Sequence, residues 1–159
     1  MASTIENSTL KVTLTERIVL NGRDQGSTNE LSITDINEVS KRIITVTTTE
    51  SVIATFSSAV ASAGHYVDTD VRYIRFTNKD DTNFITLTFR NQDNDEAAIK
   101  LDAGQSFIWN GDNVNGMGAV FNATQDADAA SSANFGSLTN IQADADTASC
   151  DLEVFIASA

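Results

Sequence analysis

The stretch VRYIRFTNKDDTNFITLTFR, residues 71–90, decides the reading of the fold. In its first half Ile74 and Phe76 share one parity, while Tyr73, Arg75 and Thr77 take the other. In its second half Ile85, Leu87 and Phe89 alternate with Thr86 and Thr88. A period of two places successive side chains on opposite faces of a strand, so both halves read as half-buried β-strands. Between them Asn78-Lys79-Asp80-Asp81-Thr82-Asn83 is rich in turn formers, and the pair is expected to form an antiparallel hairpin.

The same alternation extends in both directions. Leu10, Val12, Leu14, Ile18 and Leu20 share a parity and predict a strand, closed by a turn at Asn21-Gly22 and a polar loop to Asn29. Leu31 and Ile33 mark a short strand. Ile43, Ile44 and Val46 lie in a β-branched run with threonines, and Val52, Ala54 and Phe56 continue it after Glu50. The Ser/Ala stretch 57–63 allows one helical turn or an irregular loop. After Arg90, Ala97, Ile99 and Leu101 form a strand, Asp102-Ala103-Gly104 a corner, and Ser106–Asn110 another strand ending near Trp109. Residues 111–148 give a weak signal, with isolated Phe121, Phe135, Leu138 and Ile141, and read as a long excursion. Cys150–Ile156 is the last strand. About eight strands with one buried face predict an all-β, antiparallel β-sandwich, a jelly roll ahead of a barrel. The expected organisation is an extended amino-terminal arm over 1–9 and a single sandwich domain over 10–159.

Composition agrees with a folded domain. The chain has 159 residues, 41% of them hydrophobic, enough for one core. There is no proline, so turns depend on Gly, Asn, Asp and Ser. The net charge of −12 argues against phosphate binding, which needs clustered Lys or Arg, so no nucleic-acid partner is expected. Lys100 is the only cation after residue 90, and this acidity favours solubility or an outward surface exposed to high salt. The single cysteine, Cys150, is in phase with Leu152, Val154 and Ile156 and is expected to be a buried, inert thiol. With no signal-like start and no apolar run of about 18 residues, neither classical secretion nor a membrane partner is expected.

Residues for chemistry are scarce. The only histidine, His65, follows a glycine and reads as a solvated loop residue. Asp126/Asp128 and Asp144/Asp146 alternate as calcium ligands do, but they lack the loop order of an EF-hand. The glycine-rich stretch 110–118 lacks the Gly-Lys-Ser/Thr ending of a phosphate loop. No catalytic residue, metal site or cofactor is expected. Interfaces enrich aromatic residues and arginine, and the candidate contact residues are Ile5, Tyr73, Arg75, Phe121, Phe135 and Leu138.

Residues 71–109 carry a resemblance. Arg75-Phe76-Thr77-Asn78, the Asp81-Thr82-Asn83-Phe84 turn and residues 98–107, AIKLDAGQSF, are similar to segments of small virion structural proteins of tailed bacteriophages, especially those of marine hosts. The resemblance implies a virion component made in the host cytoplasm, and it brings no catalytic residues. The expected role is decoration or cementing of the capsid, as a homo-oligomer such as a trimer, with the major capsid protein as partner. A tail, baseplate or fibre component is the alternative within the same class. A carbohydrate-binding sandwich is the alternative outside it, disfavoured by one Trp and two Tyr.

Overall fold

The computed structural model describes residues 5–59, 61–92, 94, 96–110 and 138–159. These residues hold thirteen strands and no helix: β1 (Ser8–Thr15), β2 (Val19–Leu20), β3 (Arg23–Asp24), β4 (Thr28–Ile36), β5 (Glu38–Val46), β6 (Ser51–Ser57), β7 (His65–Val67), β8 (Val71–Asn78), β9 (Ile85–Asn91), β10 (Glu96–Leu101), β11 (Ser106–Asn110), β12 (Leu138–Ala145) and β13 (Cys150–Ser158). The protein is an all-β, antiparallel sandwich. One sheet has the order β11-β8-β13-β5; the other is β10-β9-β12-β6, extended by a short parallel pairing of β7 on β6. Strands β1 and β4 pair separately, as do β2 and β3.

The core lies between the two larger sheets. Ile74, Phe76, Leu152, Val154 and Ile156 from one meet Ile85, Leu87, Phe89, Ile141 and Ala143 from the other. Facing sheets pack about 10 Å apart, and alternating inward residues fill that layer.

Strands β8 and β9 have the expected extents and core faces, yet they do not form a hairpin. They lie in opposite sheets. Each turns one apolar set into the core, Ile74 and Phe76 from β8 and Ile85, Leu87 and Phe89 from β9, and these sets bury each other across it instead of pairing edge to edge. The connection is built for the crossing. The Asn78 side-chain amide donates to the carbonyls of Asn83 (2.9 Å) and Leu101 (3.1 Å), and its oxygen accepts from the Asp80 N–H (3.0 Å). Asp80 in turn accepts from the N–H groups of Thr82 and Asn83. Those two bonds hold the Asp80 carboxyl below its ordinary pKa.

Two further expectations are corrected. The polar stretch after Asn21-Gly22 is the return leg of a hairpin, not a loop. Asn21 (φ 52°) and Gly22 (φ 75°) both adopt positive φ, the requirement of the two-residue turn that matches strand twist. Residues 138–145 belong to a strand, β12, central in its sheet between β9 and β6. Its register slips between Leu138 and Asn140 against β9, and between Ile141 and Gln142 against β6. Leu138 is therefore out of phase with Ile141, Ala143 and Ala145, although all four are buried. A bulge inserts one residue and shifts the face of all that follow.

Leu87 is fully buried and Thr86, on the opposite face, is half-buried. Leu87→Ala is expected to cost about 2–5 kcal/mol in denaturant unfolding. Thr86→Ala is expected to cost a small fraction of that; equal losses would contradict the register.

Candidate interaction surface

Strands β8 and β13 are apolar on both faces. Opposite the core-facing Ile74 and Ile156 lie Tyr73, Phe155 and Ala157, which would leave a greasy outer surface on the sheet. The β1–β4 hairpin covers it. Ile33 and Ile36 are buried against Tyr73 and Ala157, with Leu10, Val12, Leu31 and Phe155 packed around them. Tyr73 and Phe155 meet edge to face, ring centres 5.8 Å apart. Burial pushes the Tyr73 phenol up, partly offset by the nearby Arg75 guanidinium.

A polar margin borders this contact. Arg75 donates to Glu153 at 2.6 Å and lies over the Phe155 ring, 5.7 Å from its centre. Lys41 reaches the other Glu153 oxygen at 3.6 Å. The Arg75 hydrogen bond, more than any other influence, holds the Glu153 carboxyl below its ordinary range. Between the hairpin and β11 an open groove of about 320 Å³ remains, lined by Leu10, Val12, Tyr73, Arg75, Ile108 and Phe155, among others.

Past Val12 the hairpin runs beyond the sheet that covers its first half. Leu14 continues the parity of Leu10 and Val12 but is 51% exposed, and Ile18, Val19 and Leu20 are 55%, 72% and 59% exposed. The backbone stays laddered there: Glu16 N–H donates to Ser27 O, and Gln25 N–H to Ile18 O. Gly26 is obligatory, because a β-carbon at that position would lie 2.3 Å from the Glu16 carbonyl oxygen. Lys11, Arg17 and Arg23 nearly balance Glu16, Asp24, Glu30 and Asp35 between residues 8 and 36, so almost all of the net −12 lies elsewhere. Among the described residues Arg17 and Arg23 form no ion pair.

The candidate contact residues separate accordingly. Ile5 is 67% exposed. Tyr73 and Arg75 sit beneath and beside the chain's own hairpin. Leu138 is buried in the core, packed with the β9 and β12 residues. Phe121 and Phe135 lie outside the described residues. Leu14, Ile18 and Leu20 share the parity of Leu10 and Val12 and are expected in the same strand, whereas Val19 has the opposite parity.

His65 is a half-buried strand residue rather than a solvated loop residue, and its Nε2 lies 2.6 Å from Ser57 Oγ. Ser57 Oγ also accepts the Ala59 N–H, so the contact fastens β7 along β6 and closes the following turn. Asp144 has its carboxyl pushed up by burial and then by the charge of Glu50. No group of three potential metal ligands occurs among the described residues, and Asp126 and Asp128 lie outside them. Cys150 is buried, and burial raises its thiol pKa, which suits an unreactive side chain. Phe89, Ile99, Phe107 and Trp109 line a second open groove of about 220 Å³. Apart from the Trp109 indole N–H, the four side chains that line it are apolar.

The Glu153–Arg75 contact predicts a pH signature. A carboxyl held below its ordinary value of 4.5 contributes stability that is complete above that value and is lost as pH falls through the lowered one. Denaturant midpoints taken down an acid series are expected to show this loss in the native chain, with a smaller one in Glu153→Gln; identical acid profiles would contradict it. No protein family, curated protein or solved structure matches this chain.

Proposed function

We propose that this chain is a non-enzymatic structural protein of a virion, decorating or cementing the capsid as a homo-oligomer alongside the major capsid protein. The observation that carries the assembly role is the hairpin. Its proximal half is buried on the sandwich, while its distal half extends the same apolar stripe into solvent. Exposed apolar residues scattered singly are ordinary, whereas a set gathered on one projection marks a contact site. An acidic body with a near-neutral projection directs association to the projection and keeps particles apart elsewhere.

The strand order supports a jelly roll, the architecture expected for such a role. Counting the eight principal strands from β5 and omitting the short β7, the first pairs with the eighth, the second with the seventh, the third with the sixth and the fourth with the fifth. That is the pairing of a doubled Greek key. The resemblance of residues 71–109 to phage structural proteins points the same way, and it is the only support for the virion itself.

Quantitative mass spectrometry of purified particles from the source of the gene tests the role. The chain is expected at a copy number comparable with that of the major capsid protein. About a dozen copies or fewer would place it in a tail, as cyclic tail assemblies have few subunits, and absence from particles would overturn the proposal. Deleting residues 14–28 is expected to release the chain from particles in co-sedimentation while moving its melting temperature by less than about 4 °C, since the removed segment buries little.

A further inference from the structure

We infer that the distal half of the hairpin, residues 14–28, docks into the groove on the outer face of the four-stranded sheet of a second copy of this chain. The inference rests on the structural role proposed above and names the partner surface. Three observations carry it.

The first is continuity with a contact already made within the chain. Leu10, Val12, Leu31 and Ile33 pack against Tyr73, Phe155 and Ala157, so this sheet face accepts a laddered hairpin bearing aliphatic residues. The distal half presents the same chemistry with Leu14, Ile18 and Leu20, and the groove beside Ile108, which is 37% exposed, continues the same face.

The second is geometry. The groove is lined by the proximal half of the very hairpin whose distal half is uncovered. The distal half cannot reach the groove of its own chain without breaking the Leu10↔Ile33 to Thr15↔Thr28 ladder, so an arm seated there comes from another copy. The contact is then head-to-tail, closing into a ring such as a trimer if the rotation per subunit allows and growing as a filament if it does not.

The third is charge. Copies of a −12 chain repel one another wherever their acids face. The hairpin is nearly neutral, and the charged groups at the groove are matched within the chain, Arg75 with Glu153 and Lys11 with Glu30. The inserted segment carries Glu16 and Asp24 against Arg17 and Arg23, neutral in sum, so docking it brings no net negative charge to the neighbour's acidic body.

Sedimentation equilibrium on the full chain tests the arrangement, using Leu20→Asp to spoil the arm and Ile108→Asp to spoil the groove. Both positions are exposed, and unchanged circular dichroism would verify folding. The native chain is expected to self-associate, and each variant to weaken association by more than about tenfold. An equimolar mixture of the two variants is expected to form dimers, because one sound arm then meets one sound groove. A native chain that stays monomeric up to about 100 µM overturns the inference, as do variants of native mass or a mixture no heavier than its components. A monomeric chain present at high copy number in particles would overturn this contact while leaving the virion role in place. A self-associating chain absent from particles would do the reverse.

Discussion

The architecture depends on one constraint: β8 and β13 carry apolar side chains on both faces, so their sheet needs cover on each side. The second sheet supplies one cover through Ile85, Leu87, Phe89 and Ile141. The hairpin supplies the other through Ile33 and Ile36. Burying a large aliphatic side chain contributes about 1.5–3 kcal/mol, so neither cover is dispensable in a domain of this size. Because the hairpin is longer than the face it covers, the same stripe that anchors it also leaves a projecting apolar end. Anchoring and projection are two consequences of one pattern.

Much of this was legible in the residues. Alternation located most of the strands, placed Ile74, Phe76, Leu87 and Ile156 on core faces, and predicted a buried Cys150. What alternation lacks is information about partners. The period of β8 and β9 is the same whether they pair edge to edge or face each other across a core, and the deciding Asn78 hydrogen bonds are tertiary. Strand β12 was hidden because its bulges break the parity between Leu138 and Ile141, and because alanines at 143 and 145 carry little hydropathy. Of the return leg, Leu31 and Ile33 mark a strand in the sequence, while β3 and the start of β4 were hidden by polar residues, which are what a ribbon with one exposed face should contain.

The candidate surface was half legible. Tyr73 and Arg75 were correctly placed opposite the core face, but their cover proved to be intrachain. The exposed Leu14, Ile18, Val19 and Leu20 were visible as hydrophobes, yet hydrophobicity alone does not distinguish a residue covered by its own domain from one awaiting another. That distinction depends on where the sheet ends, and so on chain geometry that no local window contains.

If residues 14–28 dock on a second copy, they form a ribbon left uncovered in the free chain and covered on assembly. A two-stranded ribbon is marginally stable by itself, so its amides open readily unless a partner packs against them. Hydrogen–deuterium exchange measures this most directly, comparing the dilute chain with the assembled form. Rapid exchange over 14–28 beside slow exchange in β8, β9, β12 and β13 is expected when dilute, with protection of 14–28 appearing on assembly. Protection of 14–28 already present in the dilute chain, or none gained on assembly, would contradict it.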